Sequence, residues 1–174
     1  MGVMHKADPS WATHIPVLLK ALELTDGPVL ELGMGMMSTP LLHIMCEAQN
    51  RWLDSYDNDG RFIDMFSRFQ NPNHFIALVN WDEAYQSIIH NNHWDVVLVD
   101  HKPAAQRKED IKLLTDSDYV IVHDTQERAD EYYGFEEIYP LFKYRYDYTK
   151  FTNQTTVLSN KHDVQNIFSD TFDK

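Results

Sequence analysis

The chain has 174 residues, of which 43% are hydrophobic and 24% charged, and this composition is typical of one globular domain. Its 27 acidic and 15 basic side chains give a net charge of -12, which disfavours binding to nucleic acids and anionic membranes. The first residues lack the apolar core of a signal peptide, and no apolar stretch reaches membrane-spanning length. We therefore expect a cytoplasmic protein with neither nucleic acid nor membrane as a partner.

Strand-like and helix-like segments alternate along the chain, which is typical of an α/β fold with a mostly parallel sheet. An N-terminal helical segment (1–27) contains a helix predicted over 10–24, with Ser10 as its cap. Strands are then predicted at 28–32, 51–56, 74–79, 95–99 and 119–122, with helices at 38–48, 61–69, 81–90 and 106–114.

The last third of the chain predicts a different arrangement. Tyrosines alternate with charged side chains over 142–149, and 155–158 is a further short strand, so the two form an antiparallel hairpin beside the parallel strands. The polar segment 161–174 is predicted to be a loosely held tail. All these segments are expected to form a single domain over 1–174.

The most informative segment is V-L-E-L-G-M-G-M-M-S-T-P at 29–40, which predicts a strand, a glycine turn and a helix. Gly33 permits the sharp turn, and Gly35 allows the backbone to approach a ligand without an intervening Cβ. Backbone N–H groups at the helix start, together with Ser38 and Thr39, can bind a polar or negative group.

Acidic side chains near the first three strands extend this pattern. Glu31 lies two residues before the first glycine and can accept a hydrogen bond from an ammonium group, which a dinucleotide lacks. Asp57 follows the first glycine by 24 residues, where it and Asn58 can bind ribose hydroxyls. Trp81 and Asp82 can flank and edge an adenine ring, although a half-buried tryptophan and a helix cap would explain them equally well.

These motifs resemble those of the class I S-adenosylmethionine-dependent methyltransferases. The matching positions are Glu31, Gly33, Gly35, Asp57, Asp82 and Asp100, and the resemblance covers residues 10–160. It implies a Rossmann-like, doubly wound, seven-stranded sheet with a C-terminal antiparallel hairpin, and S-adenosylmethionine as the cofactor. Met37 stands where the family often has a third glycine, whereas Ser38 and Thr39 are similar to a pair in small-molecule O-methyltransferases. The resemblance therefore implies methyl transfer to a small molecule, with oxygen as the acceptor atom.

Titratable side chains follow the fourth and fifth strands, whose carboxyl ends meet at the ligand-binding edge of such a sheet. Asp100 and His101 follow the fourth strand, and His123 and Asp124 follow the fifth. A hydroxyl or amine acceptor must lose a proton, and either histidine is a suitable base near neutral pH. Either aspartate can orient that base or bind the acceptor. The alternative for each histidine is a structural, hydrogen-bonded role.

Substrate and metal contacts are indicated less directly. His14 on the first helix and Arg107 are candidates for substrate contacts, against the alternatives of a packed helix and a solvated helix start. Some members of the family hold a divalent cation with an aspartate after the fourth strand and an Asp-Asn pair after the fifth. Asp100 and Asp124 are present here, but Thr125 replaces the asparagine, so we expect no divalent metal. A set of histidine and aspartate side chains that holds a transition metal is the alternative.

Two other functions remain open on the sequence. A nicotinamide-dependent oxidoreductase also uses G-x-G followed by an acid, although Glu31 argues against it. A non-catalytic module that binds S-adenosylmethionine is the second alternative. The tyrosine-rich hairpin over 142–149 offers a surface for a homodimer.

Overall fold

The computed structural model describes residues 8–81 and 83–173, so Asp82 lies outside the described residues. The strands are β1 (Val29–Leu32), β2 (Leu53–Asp57), β3 (His74–Leu78), β4 (Val96–Val99), β5 (Tyr119–His123), β6 (Tyr144–Tyr148) and β7 (Thr155–Ser159). The helices are α1 (Ile15–Glu23), α2 (Ser38–Gln49), α3 (Gly60–Phe66), α4 (Glu83–Asn91), α5 (Ala104–Leu113), α6 (Glu127–Tyr133) and α7 (Val164–Phe172). Within the described ranges, no helix is long and apolar enough to cross a bilayer.

The seven strands form one sheet in the order β3-β2-β1-β4-β5-β7-β6. The first five strands pair in parallel, and β7 lies antiparallel between β5 and β6. This arrangement confirms the predicted Rossmann-like sheet with a C-terminal antiparallel hairpin. The chain reverses its direction of travel across the sheet between β1 and β4, and a crevice forms at such a point beyond the carboxyl ends of the strands.

Separate hydrophobic cores cover the two faces of the sheet. Leu98 on β4 packs with the core formed by α1, α2 and α7, whereas its neighbour Val97 packs with the core formed by α4 and α5. All four residues of β4 are fully buried, because successive side chains of a strand point to opposite faces and both faces are covered here. This explains the uninterrupted apolar run in its sequence.

The first helix begins later than the sequence predicts. Pro9–Ala12 form a separate 3-10 turn, and Ser10 donates its backbone N–H to the Asp8 carboxylate at 2.9 Å instead of capping α1. Helix α1 starts only after His14, which is its N-cap residue. Thr13 and His14 therefore occupy the junction between the turn and the helix, where both side chains are buried.

The C-terminal segment is not a loosely held tail, because α7 packs against the sheet. Val164 and Phe168 are buried, and Ile167 and Phe172 pack against the same core. Their spacing places all four on one face of a helix, within a segment that is otherwise polar. The Phe168 ring lies 5.7 Å from that of Tyr146 on β6, so α7 covers the tyrosine face that was expected as a homodimer surface.

Candidate functional site

A cavity of about 710 Å³ opens at the carboxyl ends of the strands, where the strand order reverses. One wall is formed by the glycine loop between β1 and α2 and by the residues that follow β2. The opposite wall is formed by residues that follow β4 and β5, and Trp11 and His14 contribute from the N-terminal segment. Its size is that of a small-molecule site.

The glycine loop begins at a position that only glycine fits. Gly33 has a φ of 94°, and a Cβ there would lie 2.5 Å from the backbone N of His101. Its N–H donates to the carbonyl of Tyr56 at 2.9 Å, which extends the pairing of β1 with β2 by one residue. The loop therefore turns sharply while the backbone after β4 passes directly against it.

The rest of the loop is held by short-range contacts. A Cβ on Gly35 would lie 2.9 Å from the Ser38 hydroxyl, and both residues line the cavity. Met37 is the N-cap of α2, with φ of -105° and ψ of -42°. Because any residue adopts these angles, the loop accommodates methionine where the family often has a third glycine.

Glu31 lies beneath this loop and is fully buried. Thr39 donates its hydroxyl to the two Glu31 oxygens at 2.9 and 3.1 Å, and Gly35 donates its N–H to that hydroxyl at 3.0 Å. Burial raises the pKa of Glu31 to about 7, although the hydroxyls of Ser38 and Ser55 act in the opposite direction. Glu31 therefore supports the loop from below, and Ser38 rather than Glu31 or Thr39 faces the cavity.

Asp57 connects the end of β2 with the glycine loop. Its carboxylate accepts the backbone N–H of Met34 and that of Asp59, each at 2.8 Å. Burial raises the pKa of Asp57 above its ordinary value. Asp57 and Asn58 both line the cavity, and each carboxylate oxygen can accept a further hydrogen bond.

Trp81 packs beneath the site, away from the position that the sequence suggests. Its indole N–H donates to the carbonyl of Lys102 at 2.6 Å, and its ring lies 4.3 Å from that of His101 and 4.8 Å from that of Tyr85. The side chain is only 7% exposed, which corresponds to the half-buried tryptophan alternative more closely than to an adenine contact.

His101 and Asp100 point in different directions although they are neighbours. His101 borders the cavity, but its side chain is fully buried, with Nε2 3.0 Å from Oδ2 of the equally buried Asp110. Gln106 donates its side-chain amide to the other Asp110 oxygen at 2.8 Å. The structure thus gives His101 a structural position against α5 rather than one facing an acceptor.

Neither Asp110 nor the buried environment of Arg107 was identified from the sequence. Arg107, Asp110, Ile111 and Leu114 are buried at the i, i+3, i+4, i+7 spacing that marks the inward face of a helix. That spacing was the available signal, and two charged residues within it concealed it. Arg107 is 3% exposed, so the solvated helix start considered above is wrong.

Arg107 holds the ends of β4 and β5 together. It donates to the carbonyls of His101 and His123 at 2.6 and 3.2 Å. It also donates to Oδ1 of Asp100 at 2.9 Å, and its guanidinium lies 4.7 Å from the centre of the Tyr133 ring. Arg107 and Tyr133 both line the cavity, but most of the arginine's donors already have protein acceptors.

His123 at the end of β5 has a partner at each ring nitrogen. Nδ1 lies 3.2 Å from Oδ2 of Asp100, and Nε2 lies 2.8 Å from the hydroxyl of Thr13. Burial acts to lower the pKa of His123, but the Asp100 carboxylate outweighs it and the pKa is raised. Burial likewise opposes ionisation of Asp100, but His123 and Arg107 hold its pKa below the ordinary value.

His14 lies beside this pair and is 1% exposed. Its ring centre is 4.9 Å from that of His123, and neither of its nitrogens has a hydrogen-bond partner among the described residues. Burial and the neighbouring His123 lower the pKa of His14 to about 4, so its imidazole is neutral at pH 7. Ligand atoms of His14, Asp100 and His123 lie within 4.8 Å of one another.

Asp124 lines the cavity next to His123. It has a φ of 62°, and its carboxylate accepts from the Asn153 amide at 2.7 Å and lies 3.6 Å from the Arg107 guanidinium. Asp100 and Asp124, the pair considered above for a metal, both lie against Nδ1 of His123, at 3.2 and 3.7 Å. Asn153, which precedes β7, had no signal in the sequence that related it to β5.

The sequence matches no protein-family model and no curated protein. Among solved structures, the fold is similar to human methyltransferase-like protein 13 in complex with SAH, at 12% identity and a TM-score of 0.58, covering 86% of this chain and 80% of that one. It is also similar to a probable spermidine synthase from Corynebacterium glutamicum, at 11% identity and a TM-score of 0.62, covering 93% of this chain and 70% of that one. A third similar structure is a precorrin-6y C5,15-methyltransferase from Geobacter metallireducens, at 12% identity and a TM-score of 0.55, covering 83% of this chain and 85% of that one.

These similarities establish that the chain has the fold of the class I S-adenosylmethionine-dependent methyltransferases. One of the three structures is described as a synthase rather than as a methyltransferase. The fold alone therefore does not decide the reaction, which has to be argued from the residues of the site.

Proposed function

We propose that the protein is an S-adenosylmethionine-dependent methyltransferase that acts on a small molecule, with oxygen as the acceptor atom. The observation that carries the proposal is the cavity, which has a wall suited to a nucleoside on one side and a wall of titratable side chains on the other. The first wall contains the glycine loop and Asp57, and the second contains Asp100 and His123. A transferase that joins a cofactor to an acceptor needs both halves in one crevice.

The cofactor occupies the half between the glycine loop and the end of β2. The backbone N–H groups that begin α2 and the Ser38 hydroxyl receive the methionine carboxylate. Asp57 accepts the ribose hydroxyls, and the adenine lies beyond it, beside Asn58 and Phe62, which line the cavity where Trp81 does not. Glu31 attracts the ammonium group through its negative charge beneath the loop and does not contact it directly.

The acceptor occupies the half at the ends of β4 and β5. The sulfonium is already a good leaving group, so the main task of the protein is to align the acceptor with the methyl carbon. Asp100, whose side chain is 28% exposed, is the polar group best placed to bind an acceptor hydroxyl, and His123 supports it from behind at 3.2 Å. Asp124 and Arg107 border the same space. His101 has no part in this step because its side chain is fully buried.

Calorimetric titration of the purified protein with S-adenosylmethionine, SAH and NAD tests the cofactor assignment. We expect the first two to bind and NAD not to bind. Asp57→Asn should weaken binding roughly 10- to 100-fold, since hydrogen bonds to a charged acceptor are lost. Asp54→Asn is the matched control, because Asp54 lies on the same strand and its carboxylate bonds Trp52 and Tyr56 outside the cavity.

Tight binding of NAD without binding of S-adenosylmethionine would contradict the proposal and favour an oxidoreductase. Methyl transfer itself is tested by incubating the protein with labelled S-adenosylmethionine and a small-molecule extract. Label in low-molecular-weight products supports the reaction. Cofactor binding with no SAH formed from any fraction would instead support a non-catalytic binding module.

A further inference from the structure

Three cavity-lining side chains from distant parts of the chain form a compact donor set. His14 precedes α1, Asp100 follows β4 and His123 ends β5, and one ligand atom of each lies within 4.8 Å of the others. Two imidazoles and one carboxylate are a set by which proteins hold divalent transition metals while leaving coordination positions open. We propose that His14, Asp100 and His123 form a transition-metal site in the acceptor half of the cavity.

His14 gives the first independent indication of a ligand. Its side chain is 1% exposed, and within the described residues both ring nitrogens lack a hydrogen-bond partner. Buried polar groups are nearly always paired, so two unpartnered nitrogens on one buried ring need an explanation. The ring stands edge-on to His123, with an interplanar angle of 79°, and a nitrogen lone pair within reach of Asp100 is available to an ion.

The surroundings of His123 give the second indication. Its Nε2 lies 2.8 Å from the Thr13 hydroxyl, which also lies 3.2 Å from the carbonyl of Ser10. Its Nδ1 faces Oδ2 of Asp100 at 3.2 Å and Oδ1 of Asp124 at 3.7 Å. In the tautomer that carries its proton on Nε2, Nδ1 presents a lone pair beside carboxylate oxygens, which is the arrangement that an ion needs.

The spacing and surroundings of these atoms suit a metal. Two ligand atoms that each lie about 2.1 Å from an ion, with a right angle between them at the ion, are about 3.0 Å apart. This distance is close to the 3.2 Å between Nδ1 of His123 and Oδ2 of Asp100. Metal-bound histidines usually donate their second N–H to a neighbouring group, and the Thr13 hydroxyl lies 2.8 Å from Nε2 of His123 in the place of such an acceptor. Ligating carboxylates are themselves hydrogen-bonded. Asp100 has such a bond, because its other oxygen accepts from Arg107 at 2.9 Å.

The donor set also indicates which ions bind. Two nitrogens and one oxygen favour zinc, iron, cobalt, nickel or manganese over magnesium, which prefers oxygen ligands. The site differs from the Asp100–Asp124 pair in that His14 completes the compact set, whereas Asp124 bonds Asn153 and lies 3.7 Å from Nδ1 of His123. All three residues line the cavity, so an ion held by them would be accessible to an acceptor with a hydroxyl group that can bind a divalent ion. Only this last step rests on the proposed methyltransferase function.

Cobalt(II) titration of the chelator-treated, full-length protein tests the site, followed by visible absorption and by calorimetry with zinc, manganese and magnesium. We expect saturable one-to-one binding of cobalt and zinc and much weaker binding of magnesium. His14→Ala should lower the cobalt affinity at least about 10-fold, and Thr13→Val should lower it by less. His93→Ala is the control, because His93 belongs to the other His-Asp group that could hold an ion, with the partly buried Asp95 and Asp118.

Cobalt affinity unchanged by both His14→Ala and Asp100→Asn, or lost instead in His93→Ala, overturns the site. X-ray absorption of the zinc-loaded wild-type protein does not depend on the folding of any variant. We expect two imidazole ligands per zinc, and a spectrum without imidazole ligands overturns the site as well. S-adenosylmethionine binding is measured in parallel with and without metal. Cofactor binding without metal binding refutes the site alone, whereas metal binding without cofactor binding refutes the proposed function alone.

Discussion

Replacing the buried Glu31 by glutamine should stabilise the protein above neutral pH. Burial raises the pKa of Glu31 from 4.5 in the unfolded chain to about 7 in the folded one. The folded state therefore holds this proton more tightly, and the free energy of unfolding falls as the pH rises from about 4.5 to 7. Below this window Glu31 is neutral in both states and causes no loss, and above it the full loss persists.

The size of the effect follows from this difference in pKa. Each pH unit in the window is worth up to about 1.4 kcal/mol, so the loss above pH 7 reaches about 3 kcal/mol. A glutamine carbonyl can still accept the Thr39 hydroxyl but cannot ionise. We therefore expect Glu31→Gln to be more stable than the wild type by about 1–3 kcal/mol at pH 8, with little difference at pH 5.

Urea denaturation of both proteins at pH 5 and pH 8 measures these differences. Glu47→Gln is the control, because Glu47 is exposed near the end of α2 and its change should leave stability within about 0.5 kcal/mol. The reasoning is refuted when Glu31→Gln is less stable than the wild type at pH 8, since the loop would then need the negative charge that burial opposes.

The same substitution separates stability from cofactor binding. In the proposed complex the ammonium group favours the ionised form of Glu31, so binding near pH 7 should release protons from the wild type. Calorimetry in buffers of different ionisation enthalpy measures this release. Glu31→Gln should show a smaller release and a weaker affinity while unfolding at higher urea. An unchanged affinity would remove Glu31 from the proposed site.

Three further substitutions test the fold around the cavity. Gly33→Ala should destabilise the protein by at least about 2 kcal/mol in urea, because of its φ of 94° and the 2.5 Å approach of the His101 backbone; a neutral result would mean that the turn relaxes. Phe168→Ala should cost about 3–5 kcal/mol, whereas a loosely held tail would cost almost nothing. Trp81→Phe should cost about 1 kcal/mol and change S-adenosylmethionine affinity less than about twofold, and a larger affinity loss would restore the adenine contact.

The parts of the fold that follow from local pattern were predictable. The first five strands alternate with helices, and their apolar runs and turn residues identify them without tertiary information. The tail was misassigned because the four apolar side chains of α7 are diluted by polar neighbours. The start of α1 was misplaced because Asp8, rather than Ser10, caps the turn that precedes it.

The candidate site divides in the same way. Asp57, Asp100 and His123 follow directly from strands, so their meeting at one edge could be predicted. The directions of neighbouring side chains could not, as Asp100 faces the cavity while His101 is buried against Asp110. Nor could the contact between Thr13 and His123, which are 110 residues apart, since it depends on where the N-terminal segment crosses the sheet.

The charges of the cavity bear on how the proposed reaction would end. S-adenosylmethionine carries a positive sulfonium, and the acceptor half of the metal-free protein offers Asp100 and Asp124, partly balanced by Arg107 and His123. Transfer of the methyl group leaves a neutral thioether, so the attraction between the sulfur and these carboxylates disappears in the product. The same carboxylates therefore favour binding of the charged cofactor and release of the spent one.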